Sequence, residues 1–237
     1  MEQFTNGTAI SGDHMSKIIV LGCSLSAHGH LKSWPQRVSE VTGLVCVNLA
    51  VPASSNQLQI QQFKEYVLDT GIQSDDIIIW EITGTERCYK RVTLTIAQKF
   101  VKWTKQHGNV LFESNRKNYF DNGYRYDYLC CHPDGVGMQI DEAQLLEDIL
   151  FFLTTARQFT KNVVVLLGWK TALPKNYYKE FINKLKERNF NYIDSHILEH
   201  AIDNNLPLAD DFHPGEEGYI SFADNCVIPK LKELKLI

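Results

Sequence analysis

Three short runs of this chain consist almost entirely of apolar residues, most of them branched at Cβ. They are Ile18-Ile19-Val20-Leu21, Ile77-Ile78-Ile79-Trp80 and Val163-Val164-Val165-Leu166-Leu167. A strand with one wet face alternates polar and apolar side chains. A run without alternation, bounded by turn residues, reads as a strand covered on both faces. Such strands lie in parallel sheets, whose crossovers are usually helices.

Between these runs the periodicity becomes helical. Ser33 is placed to cap a helix that carries Pro35 in its first turn and ends near Thr42, with Gly43 as the stop. Ser54 or Ser55 opens a helix over roughly 56–69, with Leu58, Phe63, Tyr66 and Val67 on one face. Asp141 opens another, to about Phe159. Pro174 begins one that ends near Arg188, and a last helix covers roughly 216–235. Leu44–Leu49 and a short stretch at Tyr192-Ile193 add two strands. A helix is expected over 93–106. Residues 108–139, rich in Gly, Asn, Asp, Tyr and Cys, read as an irregular excursion outside the sheet. The alternation predicts an α/β fold: a central five-stranded parallel sheet between two helical layers.

Residues 1–16 are polar and aperiodic and read as a leader outside the fold, leaving 17–237 as one domain. With 24 basic and 28 acidic residues the net charge is -4. That balance lacks the basic patch of a nucleic-acid or membrane-surface partner. No run reaches the roughly 20 apolar residues of a membrane span. Leu21-Gly22-Cys23 imitates a lipoprotein signal, but the apolar run before it is shorter than the roughly 7–15 residues of a signal core. The six cysteines are too sparse for a disulfide scaffold, and Cys130 and Cys131 are adjacent. Reduced thiols and a cytoplasmic setting are expected.

In a parallel α/β sheet, sites lie at the carboxyl ends of the strands. The first strand ends at Gly22-Cys23-Ser24, where a strand-to-helix turn can expose a serine hydroxyl beside backbone N–H groups. Far along the chain stands Asp210-Asp211-Phe212-His213-Pro214. A serine nucleophile needs a base, and the base needs an orienting carboxylate. Either segment alone is equally an ordinary turn. Cys23 is the lesser candidate nucleophile, because its side chain should point away along the turn. Cys130-Cys131-His132, with His28 and His30, has metal-ligand types without zinc-site spacing, so no metal or other cofactor is expected. His28 and His30 are candidate pocket residues. So are Trp80 and Trp169, for which core packing is the equal alternative. Tyr119, Phe120, Tyr124, Tyr126 and Tyr128 form either a lid or the excursion's own small core.

Taken together, these segments resemble the SGNH (GDSL-like) hydrolase family. The residues that carry the resemblance are Gly22-Cys23-Ser24, Trp34-Pro35, Asn48-Leu49-Ala50, Ser54-Ser55-Asn56, Gly84-Thr85-Glu86 and Asp210 to Pro214 with Gly218. The match is closest to a subgroup opening Gly-Cys-Ser. The resemblance implies a three-layer flavodoxin-like sandwich and a triad of Ser24, His213 and Asp210. It also implies oxyanion donors at the Ser24 N–H and at the residue after the second strand. There the family glycine is replaced by Ala53, and the family's Gly-x-Asn places Glu86 where an amide donor is usual. Alanine keeps the N–H if φ is negative. An ionised carboxylate only accepts, so Asn56, Thr83, Thr85 and Arg87 are candidate substitute donors. The implied activity is ester hydrolysis through an acyl-enzyme, on O-acetyl or other short acyl esters of carbohydrate. The alternatives are an acyltransferase with the same triad, or a binding module that kept the fold.

Overall fold

The structure is a computed structural model. It describes residues 15–27, 32–51, 54–84, 88–92, 113–115, 127–131, 141–170, 173, 175–209 and 213–237. Five strands form one sheet: β1 (Lys17–Leu21), β2 (Val45–Asn48), β3 (Ile77–Ile82), β7 (Val163–Leu167) and β8 (Asn191–His196). Their order is β2-β1-β3-β7-β8, and every pairing is parallel. β3 and β7 are buried at every residue, and β1 at every residue after Lys17. The unalternating apolar runs are therefore the three inner strands.

Successive strand residues feed opposite layers. Ile19, Leu21, Ile78, Trp80, Ile82, Val163, Val165 and Leu167 face α3 (Asn56–Asp69), α4 (Glu142–Ala156) and α5 (Lys175–Glu187). Ile18, Val20, Ile77, Ile79, Val164 and Leu166 face α2 (Trp34–Thr42), α6 (Ile197–Asp203), α7 (Glu216–Phe222) and α8 (Ile228–Glu233). In the first layer, the Phe152 ring stands edge-on to Trp80 at 4.4 Å and to Phe63 at 4.9 Å. Trp80 is fully buried there, which settles its place as core.

The local signals mark the helix ends. Gly43 closes α2 at φ 74°. Of the two candidate caps for α3, Ser55 is the one used: its hydroxyl accepts Leu58 N–H at 3.2 Å. Asp141 caps α4 through Gln144 N–H. Ser33 occupies the cap position of α2 without a side-chain cap bond.

Three features depart from the sequence reading. α6 is a helix the periodicity did not reveal. The expected last helix is interrupted by a π turn at Ala223–Val227, where Ile228 N–H reaches Ala223 O five residues back. Pro229 accounts for the break. It has no N–H for the carbonyl four residues earlier, and its ring crowds that carbonyl, so the turn widens. Finally, the described part of the excursion, 113–115 and 127–131, is regular and pairs with a strand that precedes it. β4 (Cys88–Val92), β5 (Glu113–Asn115) and β6 (Asp127–Cys131) form a separate antiparallel sheet, ordered β4-β6-β5. The helix expected over 93–106 and the leader to residue 14 lie outside the described residues. No helix among the described residues is long and apolar enough to cross a membrane. Cys23, Cys46 and Cys226 are thiols, and burial pushes Cys46 up to about 12.

Phe63 is 2% exposed and Leu68, on the same helix, 84%. Phe63→Ala is expected to cost about 3–5 kcal/mol in urea unfolding, and Leu68→Ala less than about 0.5 kcal/mol. A second expectation concerns pH. Burial holds His196 and His200 below the ordinary imidazole range, against the opposing pull of Glu199 and Asp194 on the first and Asp203 on the second. The unfolded chain binds these protons more readily. The stability that depends on their neutrality is thus present above about pH 6.5 and lost as pH falls below it. The melting temperature should drop between neutral and mildly acidic buffer, and His200→Gln should flatten part of that drop.

Candidate active site

β1 enters the sheet first, and the chain then lays β2 on one side of it and β3 on the other. This β1/β3 divide is the switch point at which such sheets open a crevice at their carboxyl ends. Leu21 is the last residue of β1. Gly22 and Cys23 make the turn, and Ser24 begins the short helix α1 (Ser24–Ala27). The Cys23 carbonyl accepts Ser26 N–H at 3.1 Å and Ala27 N–H at 2.9 Å. The Ser24 N–H lies in the open first turn of α1 and donates to no acceptor among the described residues.

His213 arrives from the far end of the chain. Its Nε2 stands 2.6 Å from Ser24 Oγ, across 189 residues of sequence. A closed loop holds it: Ala209 N–H donates to His213 O and Gly215 N–H to Pro207 O, both at 2.8 Å, and Leu208 bridges Pro214. Gly218 lies against Pro214 and Ala201, where a Cβ would crowd both, so α7 packs close beneath the loop. With the serine hydroxyl donating, Nε2 is the acceptor and the ring proton sits on Nδ1, which is turned away from solvent. Asp210 and Asp211 lie outside the described residues. So do Ala53, Thr85, Glu86, Arg87, His28, His30, His132, Tyr119, Phe120, Tyr124 and Tyr126. No group of His, Cys, Asp and Glu among the described residues could hold a metal ion.

Asn56 has another task in this structure. It is fully buried, its Nδ2 donates to Thr83 O at 2.9 Å, and its Oδ1 accepts Thr83 N–H at 3.0 Å. Thr83 Oγ1 in turn donates to Ser54 O. Of the four candidate substitute donors, these two side chains are spent stitching the start of α3 to the end of β3. Asn48 does similar work: Nδ2 donates to Ser26 O at 2.8 Å and Oδ1 accepts Ala50 N–H at 3.0 Å. Trp169, just after β7, is partly buried against the helical layer that carries α6 and α7.

The sequence reading missed Glu81. It is the single charged residue of β3 and is fully buried. Its Oε2 accepts Cys23 N–H at 3.0 Å and the Ser26 hydroxyl at 2.5 Å, and its Oε1 accepts the Cys23 thiol at 3.0 Å. Ser26 Oγ also accepts Trp34 Nε1–H at 3.0 Å. A side chain on Gly22 or Gly168 would collide with this carboxylate. Neither glycine has a positive φ. They are small to make room, not to turn the chain. The signal was present as a carboxylate inside an otherwise apolar strand, flanked by two strands that are each followed by a glycine. Cys23, fully buried and turned to Glu81, is not exposed as a nucleophile.

No protein-family model matches the sequence, and no curated protein matches it. Solved structures share the fold. A psychrotrophic esterase from a Pseudoalteromonas species, in a structure inhibited by monoethylphosphonate, aligns with a TM-score of 0.53 at 11% identity, over 93% of this chain and 98% of that one. A member of the lipolytic G-D-S-L family from Veillonella parvula aligns with a TM-score of 0.55 at 13% identity, over 92% and 97%. The three-layer sandwich with its five parallel strands is the fold shared with these two solved structures.

Gly168→Ala should displace the Glu81 carboxylate. The expected loss is about 1–3 kcal/mol of unfolding free energy, with an altered near-ultraviolet dichroism of Trp34, whose indole shares the Ser26 hydroxyl. An unchanged spectrum at unchanged stability would mean that the carboxylate tolerates the extra methyl.

Proposed function

We propose that this protein is a serine ester hydrolase in which Ser24 is the nucleophile and His213 the general base, with Asp210 orienting the imidazole. The observation that carries the reading is the 2.6 Å approach of Ser24 Oγ to His213 Nε2 at the carboxyl edge of the sheet. A hydroxyl at a helix start, a base within hydrogen-bond reach and a backbone N–H with no acceptor among the described residues are what acyl transfer needs. Ser24 Oγ attacks the ester carbonyl while Nε2 takes its proton. The oxyanion is met by the N–H groups of Ser24 and Ala53. The leaving alcohol takes the proton back from Nε2, leaving an acyl-serine. Water then attacks, gives its proton to Nε2, and the acid departs as Ser24 regains its hydrogen.

The substrate class follows from the same resemblance: O-acetyl or other short acyl esters of carbohydrate. With a sugar hydroxyl in place of water, the same steps run as acyl transfer. Glu86 stands where an amide donor would assist the oxyanion, so Glu86→Asn should raise the rate.

The Pseudoalteromonas esterase was captured with a phosphonate, which makes a fluorophosphonate a suitable probe. Wild type should be labelled, and Ser24→Ala not at all. His213→Ala should lose on the order of 10⁶-fold in ester turnover. Wild type that neither labels nor hydrolyses short acyl esters, acetylated sugars included, would overturn the hydrolase reading in favour of a binding module.

A further inference from the structure

We infer that Glu81 is a positioning residue for the Ser24 chemistry: from the end of β3, its carboxylate grips the residues on both sides of the nucleophile. The inference rests on the hydrolase reading above.

Ser24 itself makes no contact with Glu81 among the bonds described. The residue before it and the residue two places after it do. Cys23 is held by its N–H and by its thiol, and Ser26 by its hydroxyl. Among the described residues three donors meet two oxygens, a pattern that a carboxylate acceptor satisfies and an amide, with one oxygen and one NH₂, does not. The grip extends outward in two directions. Ser26 Oγ takes the Trp34 indole N–H from α2, and Ser26 O takes the Asn48 amide from β2. The turn that carries Ser24 is thereby pinned to three other elements: β2, β3 and α2.

Fold stability alone does not call for this arrangement. The neighbours Ile79 and Ile82 show what the strand ordinarily carries, and burying a carboxylate is costly unless every lone pair is used. It also requires that Gly22 and Gly168 give up their side chains. The return is geometric. Pinning the Gly22–Cys23 peptide, the Cys23 thiol and the Ser26 hydroxyl sets the direction of the Ser24 N–H and the placement of Oγ opposite Nε2. Small displacements there are expensive for the reaction and cheap for the fold.

The test compares wild type, Glu81→Gln and Ser26→Ala for fluorophosphonate labelling rate, for kcat and KM on a short acyl ester, and for melting temperature. Glu81→Gln is expected to lower kcat and labelling on the order of 10²-fold, with KM within about threefold because no substrate contact is removed. Ser26→Ala should move kcat in the same direction by less, again at nearly constant KM. The double variant should lose less than the product of the two, since both break one network. A purely structural carboxylate predicts the opposite: a lower melting temperature with labelling per folded molecule equal to wild type, and that result overturns the inference. If Glu81→Gln does not fold, Ser26→Ala decides alone, and wild-type kcat and labelling in it overturn the inference. Wild type that fails to label at all removes the hydrolase reading and this inference with it. A labelled wild type beside equally labelled variants removes this inference only.

Discussion

A sheet buried on both faces leaves little room for polar chemistry except at the ends of its strands. β1, β3 and β7 carry apolar side chains into both helical layers, so the chain leaves them only at their edges. The order β2-β1-β3 then sends consecutive connections apart on either side of β1, which opens the carboxyl edge there. Ser24, Asn48, Thr83 and Gly168 all follow or end strands at that edge. The rest of the architecture follows from covering the two faces.

Into that edge the fold inserts one carboxylate. Glu81 sits where the strand pattern calls for an apolar residue, and its neighbourhood is arranged around it. Two glycines make space, a serine and a thiol donate, and an indole on α2 completes the Ser26 hydroxyl's bonds. In low-dielectric surroundings such a network is strong when complete and costly when broken. That makes the turn bearing Ser24 stiff without any bond to Ser24's own hydroxyl, which is left to meet His213.

The helical layer of α6, α7 and α8 has the complementary task of delivering the imidazole. His213 lies in a loop clasped by backbone bonds at 207–215 and seated on α7 through Gly218. Farther along, the π turn brings Asp224 to Arg37 of α2 in a two-pronged pair at 2.9 and 3.0 Å. This ties α7 and α8 to the helix of the same layer that also supplies Trp34. The two halves of the site are thus braced through the same helix, although they lie at opposite ends of the sequence.

How much of this was legible beforehand follows from the range of the forces involved. Residue chemistry and period determined the elements. Unalternating apolar runs became the inner strands, and Gly43, Ser55 and Asp141 ended or capped helices as their local chemistry requires. Ser24 and His213 were visible because each stands next to a local signal, a strand end in one case and a helix start in the other. The meeting of Oγ and Nε2 across 189 residues was decided by strand order and layer packing. So was the assignment of the Asn56 and Thr83 side chains to stitching rather than to donation. α6 and the π turn eluded the pattern because one is short and the other arises from a proline clash inside a continuous helical period. Glu81 shows the division most clearly. In the sequence it is a lone charge in an apolar strand, with no local sign of a partner. Only the parallel pairing of β1 and β7 on either side of β3 brings Gly22, Cys23, Ser26 and Gly168 to it. Burial makes each of those contacts obligatory, because an unsatisfied carboxylate has no water there to turn to.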